Sequence, residues 1–177
     1  MRDISQAVKS ASEFQFTGYL AFAAGVVSAV GLVFFIAMFY FMATGRNELV
    51  TRVGMINDIC VAIQYLLTIP LALALNRILS PYNPVLMRFA TIFGVAALLA
   101  VIGLQLLLIF NVLTFEQQMP WIALAMILGV GTWLLITGLV ARSTNRMPNS
   151  LLMSILAIPY IGYPVWAVWL GLQLLAW

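Results

Sequence analysis

The chain divides into long runs of apolar residues separated by short polar breaks. Residues 18–43 (GYLAFAAGVVSAVGLVFFIAMFYFMA) contain no charge. A helix needs ~20 residues at ~1.5 Å each to cross a bilayer, and this run exceeds that. It is also longer than the ~7–15-residue apolar core of a cleaved leader, so it predicts an uncleaved first crossing. Further runs at 57–79, 87–113, 119–141 and 150–176 predict four more. The breaks read TGRNELVTR, SPYNP, TFEQQMP and RSTNRMPNS, and the two prolines of SPYNP block helix continuation. No break is long enough to hold a separate domain. The pattern predicts an all-α integral membrane bundle of five transmembrane helices, with residues 18–177 forming one domain.

Residues 1–17 have a different character. Ile4, Ala7, Val8, Ala11 and Phe14 recur at helical spacing, while Arg2, Asp3, Gln6, Lys9 and Glu13 fall on other faces. An amphipathic segment of this kind predicts a short N-terminal interfacial helix lying among the headgroups. Charge then selects an orientation. With five crossings, one side holds Arg2, Lys9, Arg77, Arg88, Arg142 and Arg146, and the other holds only Arg46 and Arg52. The excess of positive residues predicts a cytoplasmic amino terminus and an external carboxyl terminus, in an inner (plasma) membrane.

Composition narrows the function classes. Of 177 residues, 64% are hydrophobic and 7% charged, against about a quarter charged in soluble domains. Lipid must therefore be the main solvent, and the bilayer is the first partner. The net charge of +3 comes without any basic run, which argues against nucleic-acid binding. Cys60 is the single cysteine and histidine is absent. That removes disulfides, thiolate or imidazole metal sites and the usual nucleophile–base pairs. No catalytic residue, cofactor or metal ligand set is expected, so the reading is not an enzyme.

Asp58 is the residue that asks for an explanation. In one placement the second helix begins near Glu48 or Arg52 and Asp58 lies one to two turns along it. In the other, Asn57 is the N-cap and Asp58 opens the helix, where an acid suits the dipole. Residues 58–79 give ~33 Å of helix, enough to span alone, and this arithmetic favours the boundary placement. The buried placement has neighbours to support it. Gln64 shares the face of Asn57, while Gln105 and Asn111 fall in the same outer half of the bundle. Asn57, Asp58, Gln64, Gln105 and Asn111 thus form a candidate polar pocket, with interhelical hydrogen bonding as the plainer explanation.

Pro70, Pro159 and Pro164 each lack a backbone donor and predict helix kinks. Trp121 and Trp177 fall at boundaries, whereas Trp133, Trp166 and Trp169 lie deeper. Ala21, Gly25 and Ala29, together with the pairs Ala90–Gly94, Ala125–Gly129 and Ala167–Gly171, keep the four-residue spacing that lets helices approach. That spacing serves packing within one chain or between copies equally well.

Two stretches, NDICVAIQYLLTIPLALALNRIL and RSTNRMPNSLLMSILAIPYIGYPVWAVWLGLQLL, resemble segments of small bacterial polytopic membrane domains of unknown function. Asn57, Asp58, Asn76, Arg77, Gly162, Tyr163, Pro164 and Trp166 carry that resemblance. It implies a bacterial inner-membrane bundle and no mechanism. The leading functional expectation is a structural, accessory or partner-binding bundle, as a homo-oligomer or within a larger membrane complex. The alternative is a small transporter or binding protein for an ion or small polar molecule, using the pocket around Asp58.

Overall fold

The computed structural model describes residues 4–143, with side chains from Gln15 onward, together with residues 165, 167–172 and 175. All the described elements are helical: α1 (Ile4–Ala43), α2 (Asn47–Leu79), α3 (Pro84–Ile109), α4 (Phe115–Leu124), a π-helical stretch (Ala125–Gly131) and α5 (Thr132–Ser143). The last three run on as one rod, Phe115–Ser143, called the fourth rod below. Four rods are long and apolar enough to cross a membrane, namely Gln15–Ala43, Asn47–Leu79, Pro84–Ile109 and Phe115–Ser143.

Left-handed residues stop two of the helices. α1 ends at Gly45 (φ +71°), where Arg46 N–H donates to the Phe41 carbonyl and Gly45 N–H to that of Met42. α3 ends in the same way at Asn111 (φ +57°), where Val112 N–H donates to Leu107 and Asn111 N–H to Leu108. These paired bonds satisfy carbonyls that a helix end leaves open, and glycine or asparagine tolerates the required backbone. Starts are equally local. Asn83 caps α3 by accepting from Leu86 N–H at 3.1 Å, with Pro84 in the first turn. Thr114 and Gln117 form a reciprocal capping box at the start of α4.

α1 and α2 make an antiparallel hairpin, α3 packs on α2, and the fourth rod packs mainly on α3. The core joins Val61, Tyr65, Leu71, Leu98, Val101 and Trp133 from three rods. In the most apolar window of each rod, half of α2 is buried inside the protein, against 28% for each of the other three. α2 is thus the central helix. Ile36, Ile92, Ile127 and other large apolar side chains face outward, as hydrocarbon solvent allows. The small residues pack within the chain. A Cβ on Gly94 would sit 2.5 Å from Trp133 Cγ, and one on Gly129 would collide with Ala97.

Several expectations change. α1 is a single helix from Ile4, so no break near residue 17 sets off a separate N-terminal interfacial helix. α2 begins at Asn47, so Asn57 is not its N-cap and Asp58 does not open it. The break TGRNELVTR marks a change of polarity, and the helix continues through most of it because charged residues outside hydrocarbon cost a helix little. Pro70 lies inside α2, which continues past it, and a bend at that point is compatible with this continuity. Pro159 and Pro164 lie outside the described residues, as does most of the expected fifth helix 150–176. Of that segment, Leu175 lies beside Gly18 and Gly171 beside Phe22 and Gly18, so the chain runs antiparallel to α1. The contact is possible because Gly18 and Gly171 bring two backbones together without side chains.

Candidate polar site at one end of the bundle

Side-chain contacts between the rods fix their register. The Tyr65 hydroxyl donates to Met126 Sδ at 3.0 Å, and Leu79 clusters with Val140, so α2 and the fourth rod run parallel at an offset of 61 residues. Met87 joins the same cluster as Leu79 and Val140. Gly94 meets Trp133 and Gly129 meets Ala97, which sets α3 antiparallel to the fourth rod. In this register Asp58 is level with Leu108 of α3 and Met119 of α4. Gln118 is level with Asn57, and Gln105 lies about one turn deeper, level with Val61.

Asp58 stands two turns from Tyr65 and so shares the face of α2 that reaches the fourth rod. It is half-buried and shares a side-chain hydrogen bond with Asn57. Asn57 itself is buried and turns its Oδ1 toward α1, where a Cβ on Gly31 would meet it at 3.7 Å. Gln105 is the last buried residue of α3, on the inward face that carries Met87, Ala90, Gly94, Leu98 and Val101. Gln118 is the one residue of α4 that is buried, at 1% exposure. Asn57 Oδ1, Gln105 Oε1 and Gln118 Nε2 are all shielded from solvent without a hydrogen-bond partner. Buried polar atoms are normally paired, and each one left open costs about 1–3 kcal/mol. Three at about this height in the bundle, on α2, α3 and α4, are a feature to explain.

Of the five candidates from sequence, Asn57 and Asp58 are neighbours on α2, and Gln105 lies about one turn deeper on α3. Gln64 is buried about two turns further in on the face of Asn57, and its carbonyl accepts from Thr68 Oγ1 at 2.7 Å. Asn111 is exposed, and its work is to end α3. Gln118 was missed, although the Thr114-x-x-Gln117 capping box fixes the helix start that turns it inward. Among the described residues no group of three or more Cys, Asp and Glu side chains gathers.

Two open grooves run elsewhere, with volumes of about 440 and 680 Å³. The smaller lies between α3 and the fourth rod, lined by Phe93, Ala97, Leu104, Trp121, Leu128 and neighbours. The larger lies between α1 and the chain near Val165–Leu172. Neither is lined by Asn57, Asp58, Gln105 or Gln118. No protein-family model, curated protein or solved structure matches this chain.

Proposed function

We propose that this protein is a non-catalytic, multi-pass membrane bundle that works by binding a partner within or at the surface of the bilayer. The observation that carries the reading is the end of the α1–α2 hairpin, which no other described helix accompanies. α3 ends near the level of Asp58 and α4 begins about a turn beyond it, near that of Gly54, but α2 continues back to Asn47 and α1 on to Ala43. The hairpin therefore extends ~10 Å past the start of α4. α3 alone is ~39 Å long, already more than a hydrocarbon core of ~30 Å. The extension nevertheless presents Ile36, Phe39, Tyr40 and Met42 outward, each at least half exposed. Apolar surface that lipid does not need to cover suits another apolar helix, from a second copy or from another membrane protein. The side holding Arg77, Arg88 and Arg142 is the cytoplasmic one in this reading, which makes the hairpin tip external.

A photo-crosslinking residue at position 39 or 40, in cells, tests this against one at Ile92, which is exposed on α3. Protein adducts of defined size are expected at 39 and 40 and lipid adducts at 92. Lipid adducts alone at all three positions would refute the reading.

A second reading, a binding protein for an ion or small polar molecule, is favoured by one observation. Asp58 lies inside α2 with buried, unpartnered amides at its level.

A further inference from the structure

We infer that the π-helical stretch Ala125–Gly131 is a register switch, which lets α4 slip by one residue and exchange Gln118 for Met119 at its buried position. An i→i+5 ladder carries one residue more per turn than an α-helix, and such stretches inside α-helices are rare and mostly a single turn long. This one has seven residues, all of them apolar or glycine. Returning it to α geometry releases about one residue. Everything before the stretch then turns by about 100° and moves ~1.5 Å toward the α3–α4 turn. Each residue of α4 takes the place of the one before it. Beyond the stretch nothing needs to move, because Trp133 lies against Gly94 and Val140 and Ala141 pack with Met87.

Two opposing features make this slip a switch. Gln118 is almost wholly buried, and its Nε2 has no hydrogen-bond partner, which destabilises the present register. Met119 is exposed, and its flexible apolar side chain suits the place that Gln118 would leave. Gln118 would move to the position of Gln117, which is exposed in the first turn of α4. Little packing resists, since Gln118 is the one buried residue of α4. Against the slip stands a latch. The Tyr65 hydroxyl donates to Met126 Sδ at 3.0 Å, and Met126 lies inside the stretch, so this bond belongs to the present register. The slip also reshapes the groove between α3 and the fourth rod, because Ile122 and Ala125 would come to the lining positions of Trp121 and Leu124.

The test uses the full-length protein in detergent micelles, with its native cysteine removed by Cys60→Ala. Gln118→Cys, Met119→Cys and Gln105→Cys are made singly, and each thiol's rate of reaction with a water-soluble maleimide is measured. Gln105 is buried on α3 about a turn deeper, and the slip does not move it. The thiol at 118 is expected to react at about 0.1–10% of the rate at 119, as a minor conformer would allow, and faster than the thiol at 105. Tyr65→Phe removes the latch and should raise the rate at 118 by about two- to ten-fold, leaving 105 unchanged. Deleting Ile127, which faces outward, takes out the surplus residue and should bring the rate at 118 down to that at 105. If tryptophan fluorescence shows that the deletion variant does not fold, the Tyr65→Phe comparison decides alone. Equal rates at 118 and 105 overturn the inference. So does a rate at 118 that Tyr65→Phe leaves unchanged or raises only in step with 105, or one that a folded deletion variant keeps.

Discussion

Alanine at position 94 probes the closest approach between α3 and the fourth rod. The new Cβ would stand 2.5 Å from Trp133 Cγ and 2.6 Å from Trp133 Cβ. Carbon atoms in contact prefer ~3.5–4.0 Å. Both strained atoms lie at the root of the indole side chain, where no rotation moves them away. The helices must part by about 1 Å around Trp133, a residue with no exposed surface. Overpacking of this kind costs about 1–3 kcal/mol. Against it stands the gain of about 0.5–1 kcal/mol from replacing glycine inside a helix. The balance is a loss of up to about 2.5 kcal/mol, or up to ~10 °C in Tm for a chain of this size. Gly103 supplies the internal control, because it lies on the same helix and a Cβ there meets nothing within 4 Å. Gly103→Ala keeps the propensity gain without the clash and should raise Tm. The assay is thermal unfolding of both variants in one detergent. If Gly94→Ala unfolds at or above the temperature of Gly103→Ala, the helix contact at Trp133 is not as close as described.

The remaining predictions concern helix ends and the α2 contact with the fourth rod. Asn111→Val forces a branched side chain into left-handed backbone and should lose about 1–2 kcal/mol in the same unfolding assay. Asn111→Gly at that site should be neutral or slightly stabilising. Thr114→Ala removes half of the α4 capping box and should cost about 0.5–2 kcal/mol. Tyr65→Phe removes the hydroxyl that donates to Met126 Sδ, costing about 0.5–1.5 kcal/mol. Met126→Leu should cost less in the Tyr65→Phe background than alone, so a double-mutant cycle with no coupling would count against that bond.

What could be read from the sequence follows from what hydrocarbon demands. A span must be uncharged, so the runs from residues 18, 57, 87 and 119 located the four described rods. Charge reports the edge of the lipid, however, and not the end of a helix. α2 therefore continues to Asn47 through Arg52 and Glu48, although the apolar run begins only near Asn57. The same confusion placed Asn111 inside a run ending at 113, when a left-handed asparagine had already stopped α3. Gln118 was hidden because TFEQQMP reads as a turn, whereas the capping box puts Thr114 outside the helix and Gln118 in its first turns. The π-helical stretch Ala125–Gly131 had no signal in the pattern of polarity, since every residue in it is apolar or glycine. Which glycines are packed within the chain was equally hidden. Gly94 and Gly103 look alike in sequence, and only the position of Trp133 separates them.

The two ends of the bundle bear on whether an ion site would serve transport. Conduction through the bundle requires a polar path, or a motion that opens one, from the Asp58 level to the Arg77 end. Along α2 that route passes Tyr65, Leu71, Leu75 and Leu79, all buried. Trp133 fills the middle with its side chain held against Gly94, and Met87 and Val140 close the far end. Opening such a path would separate α2 from the fourth rod along the whole core, at the cost of several fully buried side chains worth about 1.5–3 kcal/mol each.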